Sequence, residues 1–132
     1  MTVDEYKVGT WFICESIDEM EEFYKSRLPA IREAAKKHGY AIGVHGSMRR
    51  DLDLIAVPWG GVYTTASILA EAIQVAACGI NQHGYSWEHK PLGRIATSFP
   101  ICWSPPTESG TLVINSGHID LSVMGYPDGE EL

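Results

Sequence analysis

An α+β fold in two layers, with a mostly antiparallel sheet of about five or six strands and two main helices on one face, is what the sequence predicts. Three observations lead there. Several short runs alternate apolar with polar residues, as strands with one buried face do. Two longer runs repeat their apolar residues at helical spacing. Their order is strand, helix, two strands, helix, three strands, and consecutive strands at both ends favour antiparallel pairing over a doubly wound sheet.

Lys7 to Ser16, KVGTWFICES, is rich in β-formers and reads as the first strand. Asp18 followed by Glu21 resembles a capping box, and the acids from Asp18 to Glu22 suit a helix N-terminus. The helix spans 18–38, with Lys36 and Lys37 in its last turn and Gly39 as its stop; Pro29 predicts a break or kink near Leu28-Pro29. YAIGVHGS and DLDLIAVPW are the next two strands, the second stopped by Pro58 and Gly60-Gly61. Thr64 or Thr65 caps a second helix that ends at Gly79, with Ile68, Leu69, Ala72, Ile73 and Ala76 as its apolar face. INQHGYSWEHKPLG reads as a loop. GRIATSFPICW reads as a strand whose second half Pro100 demotes to an edge or bend. After the turn-rich SPPTESG, TLVIN and HIDLSVM are expected to be two short strands joined through Ser116-Gly117 as a hairpin. Residues 1–132 form one expected domain, with a loose acidic tail from about residue 126.

The chain is 45% hydrophobic and 20% charged, which argues against disorder. A formal charge of −7 without any run of Lys or Arg opposes duplex DNA and anionic membranes as partners. Cys14, Cys78 and Cys102 form no CxxC and sit among apolar neighbours, so free thiols in a reducing compartment are expected. The N-terminal residues lack a signal-like apolar core, and a cytoplasmic location is expected.

Side chains two apart on a strand share a face. Leu52, Leu54 and Ala56 therefore oppose Asp51 and Asp53, while Ile119, Leu121 and Val123 oppose His118, Asp120 and Ser122. His45 likewise opposes Val44. If these strands share a sheet, His45, Asp51, Asp53, His118, Asp120 and Ser122 form one polar surface. Such a face can simply be solvated, with Arg49 and Arg50 as surface counter-charges. Aspartate is disfavoured in strands, however, so three of them there suggest a use for short, rigidly held carboxylates.

Three uses compete. Asp51, Asp53 and Asp120 are the oxygen ligands for a metal site, if the chain is Mg²⁺-dependent. Gly46-Ser47 ahead of Asp51-x-Asp53 resembles the nucleotidyltransferase pattern, although only Met48, Arg49 and Arg50 intervene and leave no room for its phosphate-binding helix. His45-Gly46-Ser47 resembles one motif of the two-histidine phosphoesterases, and His118-Ile119-Asp120 half of the other; His45, Ser47 and His118 are then the catalytic candidates. The third use is binding without turnover and without a cofactor. Arg49, Arg50 and Arg94 would take phosphates, Asp51, Asp53 and Asp120 ribose or base donors, and Trp59 would stack on a base, with His45, Ser47 and His118 completing the wall.

The stretch HGSMRRDLDLIAVPW, followed by GRIATSFP and HIDLSVM, resembles a family of small phage and prophage proteins over roughly residues 40–125. The resemblance implies a phage-encoded accessory protein made in the bacterial host cytoplasm. By analogy with phage proteins that sequester nucleotide immune signals, it implies a small nucleotide-like ligand and a homo-oligomer. The expected function is accordingly ligand binding, with an enzyme or a partner-binding structural protein as the alternatives.

Overall fold

The computed structural model describes residues 10–11, 17–104, 108–110 and 113–126. Most of the strand expected at Lys7 to Ser16, part of the turn at 104–110, Cys14 and the tail from 127 lie outside the described residues. The elements are β1 (Thr10–Trp11), α1 (Ile17–Lys37), β2 (Tyr40–His45), β3 (Asp51–Pro58), α2 (Ala66–Cys78), β4 (Glu88–Lys90), β5 (Arg94–Trp103) and β6 (Val113–Met124). The sheet order is β2-β3-β6-β5-β4, with β1 against the start of β6. Every main pairing is antiparallel except β3 with β6. Both helices cover one face, giving the α+β architecture expected from the sequence.

Alternation explains which face is covered. Leu52, Leu54 and Ala56 of β3, Ile95, Phe99 and Ile101 of β5, and Ile119, Leu121 and Val123 of β6 are all buried. They meet Tyr24, Ile31 and Ala35 from α1 and Leu69, Ile73 and Ala77 from α2 in one hydrophobic cluster. Removing this apolar surface from water is the main driving force of the fold. Arg27 on α1 donates to the Ala76 carbonyl at 2.5 Å, placing a cation at the C-terminal end of α2 where the helix dipole favours it.

The structure corrects four local expectations. Residues 17–37 form one uninterrupted helix with Pro29 inside it. Pro29 and Lys25 are both exposed, so water can satisfy the carbonyl that a proline nitrogen leaves unbonded. Ile68 is half-exposed, and α2 instead buries Ala66, Leu69, Ala70, Ile73, Gln74 and Ala77. Thr65 is its N-cap and Gly79 its left-handed C-cap. Glu88–Lys90, read as loop, pairs with β5 as a short strand. In place of the expected hairpin, Val113–Met124 form the single strand β6, which runs straight through Ser116-Gly117. Gly117 serves close approach instead of a turn. A Cβ there would lie 2.4 Å from the Tyr24 hydroxyl oxygen. That hydroxyl donates to the Arg50 carbonyl at 2.6 Å and accepts the His118 amide at 3.2 Å, tying α1 to β6 and the β2–β3 turn.

Pro100 does mark an edge, without bending β5. β4 pairs only with Arg94 to Ala96, and the Pro100 carbonyl points away from β6, to the amide of Gln74 at 2.9 Å. A strand residue directs its N–H and C=O to the same side, so the donor that proline lacks falls on this outer side. Gln74 is fully buried, also bonds Gln82, and accepts the Tyr85 hydroxyl at 2.7 Å. Gln74→Leu would leave those groups without their partner. It is expected to cost about 2 kcal/mol, readable by urea denaturation; an unchanged midpoint would refute this role. Among the described residues, no helix is long and apolar enough to cross a membrane.

Candidate functional site

The uncovered sheet face carries the residues of opposite alternation, and the strand register sets their neighbours. His45 pairs with Asp53, Asp53 with Asp120, and Asp120 with Ser98. One polar row thus crosses β2, β3, β6 and β5. The next row carries Ser122, Ala96 and Glu88, and beyond it Arg94 pairs with Lys90. Together with Ser86, these rows line an open cleft of about 570 Å³.

The two aspartates form a coupled pair. Asp53 is half-buried, and its pKa is raised first by burial, then by a hydrogen bond to Asp120 and by repulsion from that carboxylate; His45 acts in the opposite direction. A hydrogen bond between two carboxyl groups needs one shared proton, and when the pair holds one, the raised pKa of Asp53 favours its lying there, directed at Asp120. Asp120 also accepts the Ser98 hydroxyl. Gly46 leaves room for this arrangement: a Cβ there would sit 2.9 Å from an Asp53 carboxyl oxygen, and its φ of 76° is one that side chains rarely adopt. On the far wall, Arg94 donates to the buried Ser122 hydroxyl at 2.7 Å, and Lys90 pairs with Glu88 at 3.1 Å. Among the described residues, two of the guanidinium's three nitrogens are left for other acceptors. The cleft therefore offers the acceptor oxygens of a carboxyl pair together with two cations, Arg94 and Lys90.

Of the residues singled out from the sequence, His45, Asp53, Arg94 and Asp120 line this cleft. His118 and Asp51 share the same face one row away, paired with each other across β3 and β6, and do not line it. Ser47 accepts the Arg49 amide at 3.3 Å within the β2–β3 turn. Met48 of that turn packs against the core, and the Arg50 carbonyl is held by Tyr24. Arg49 is turned toward α1, 3.6 Å from Asp18 and 3.8 Å from Glu21, and is not among the residues lining the cleft. Arg50 is exposed and outside the cleft lining.

Trp59 also lies away from the cleft. Six residues beyond Asp53 on an extended strand lie about 20 Å away, and Trp59 borders a separate groove with Arg32, Lys36 and Tyr40. Other aromatic rings in loops and at strand ends are engaged in packing. Trp103 stacks on Phe23 with centroids 4.0 Å apart, Tyr85 meets Phe99 edge-on, Tyr63 meets Tyr40, and Trp87 donates to Ser67. The Asp51, Asp53 and Asp120 metal triad is not assembled either: among the described residues, no group of three or more His, Cys, Asp or Glu converges as metal ligands.

Ser98, Glu88, Lys90 and Ser86 escaped the sequence reading. For Ser98 a signal existed: Ile95, Phe99 and Ile101 alternate, which puts Arg94, Ala96 and Ser98 on the opposite face. Glu-His-Lys has little strand propensity and acquires its place only by pairing with β5. No family model, curated protein or solved structure matches this chain.

Proposed function

We propose that the open-face cleft binds a small nucleotide-like ligand, gripped by phosphate and ribose with no stacking on its base. The observation carrying this reading is the Asp53–Asp120–Ser98 row facing Arg94 and Lys90 across about 570 Å³. That volume suits a small molecule. Arg94 offers a planar fork of donors to a phosphate, and Lys90 adds a movable charge. Asp120 accepts from a ribose hydroxyl, and the remaining carboxyl oxygen of Asp53 accepts from its neighbour. Among the described residues no Phe, Tyr or Trp lines the cleft, which is why recognition is assigned to the sugar phosphate. The biological setting that fits the resemblance to phage proteins is sequestration of a nucleotide immune signal without turnover.

The test incubates the protein with a panel of linear and cyclic nucleotides and ADP-ribose derivatives, with and without Mg²⁺. Protein and solution are then separated, the protein is heat-denatured, and both fractions are chromatographed. A compound depleted from solution and released intact is the expected outcome. A chemically altered compound would replace binding by catalysis, with the Asp53–Asp120 pair as its acid and base. If every compound stays free and unchanged, the reading fails.

A further inference from the structure

The lateral edge of β2 is the second feature of the molecule that calls for a ligand. Among the described residues β2 is an outer strand, bonded to β3 on one side only. The Trp59 amide donates to the Gly39 carbonyl at 2.8 Å, which makes Gly39 and Trp59 a hydrogen-bonded pair. Such pairs alternate along an antiparallel ladder. Ala41, Gly43 and His45 therefore direct their backbone groups to β3, while Tyr40, Ile42 and Val44 direct theirs outward. Among the described residues no other backbone segment bonds to this edge. An edge of this kind is normally blunted by Lys, Pro or a bulge. The sequence YAIGVH contains neither residue, and its register with β3 is unbroken.

What borders the edge indicates the occupant. Arg32 and Lys36 of α1, one helical turn apart, flank Tyr40, Ala41 and Ile42 along a groove of about 400 Å³. Both are exposed, and neither has an ion-pair partner among the described residues. Trp59, 76% exposed, closes the groove with an apolar wall. A second copy of the chain fits this edge poorly. Two-fold antiparallel pairing of the outward residues centres on Ile42, and would bring the Arg32 and Lys36 stripes of both copies together. We infer that the β2 edge accepts an extended acidic peptide segment as an added strand, its backbone bonded to Tyr40, Ile42 and Val44 and its carboxylates set against Arg32 and Lys36.

Amide hydrogen exchange of the intact chain, followed by NMR, tests this with acetyl-(Thr-Glu)3-amide as probe and acetyl-(Thr-Lys)3-amide as control. In the free protein, Ala41, Gly43 and His45 should exchange slowly and Tyr40, Ile42 and Val44 fast. The acidic probe should slow the latter three about tenfold at roughly ten times its dissociation constant; the basic control should not. Arg32→Gln with Lys36→Gln should weaken the acidic probe about fivefold, as two exposed ion pairs are lost. Equal protection by both peptides, or by neither, would overturn the inference. Protection of the same amides that grows with protein concentration, alongside a doubled mass by light scattering, would give the edge to a second copy instead. Slow exchange there at every concentration would mean that the chain covers its own edge, which equally overturns the proposal.

Discussion

Gly117→Val is expected to be the most destabilising single substitution on the sheet, lowering the unfolding free energy by about 3 kcal/mol or more. The added Cβ would meet the Tyr24 hydroxyl oxygen at 2.4 Å and two ring carbons at 3.2 and 3.3 Å. Tyr24 is fully buried and cannot swing into solvent. Relief requires moving α1 away from β6, which also breaks the bonds to Arg50 and His118. Overpacking contributes about 1–3 kcal/mol and each lost hydrogen bond about 1 kcal/mol, a large part of the stability of a small domain. Urea denaturation measures the loss. Combining Tyr24→Phe with Gly117→Ala removes the worst contact, so the pair should cost less than the sum of its single changes. Strict additivity would show that the glycine is not there to admit the tyrosine.

Asp53→Asn should do two things in opposite directions: reduce ligand retention about 10- to 100-fold, and raise the melting temperature at about pH 7. The second effect follows from the raised pKa of Asp53. Folded Asp53 holds its proton more tightly than unfolded Asp53, whose ordinary value is 3.8. Below that value both states are protonated and the group is neutral to stability. As pH rises above it, the unfolded chain releases the proton first, and stability falls until the folded group has also titrated. Asparagine keeps a permanent donor toward Asp120 and avoids this loss. The advantage of the variant should therefore be small near pH 4 and larger near pH 7. Calorimetry across that interval checks the sign. A variant that unfolds would make Asp53 a structural residue, and one that still retains ligand would remove it from the site.

Side-chain alternation made the layers legible. Leu52, Leu54 and Ala56 against Asp51 and Asp53, and Ile119, Leu121 and Val123 against His118 and Asp120, separated the buried from the open face as found. Alternation says nothing about which strand lies beside which, or in which direction. The parallel β3–β6 pairing sets Asp53 beside Asp120 and leaves His118 beside Asp51, and it depends on how the whole sheet assembles. Glycine carries a similar ambiguity: Gly117 looks like a turn in sequence because a close contact and a bend ask for the same residue. Direction also misleads for long side chains. Arg49 stands next to the aspartates in sequence, yet the acidic first turn of α1 draws it to the other side of the turn.

The place of β6 in the sheet has a consequence for how the molecule comes into being. It lies between β3 and β5 in space but follows both in the chain. On a ribosome, the β2–β3 and β4–β5 hairpins emerge as separate halves, each with an apolar face and an unfilled inner border. Neither half can close the core, because Ile119, Leu121 and Val123 have yet to be made. Contacts this distant in sequence form slowly, and the waiting halves are exposed to misassociation. Insertion of the last described strand then seals the core and sets Asp120 beside Asp53 in one event, so the cleft exists only in chains that have completed their fold.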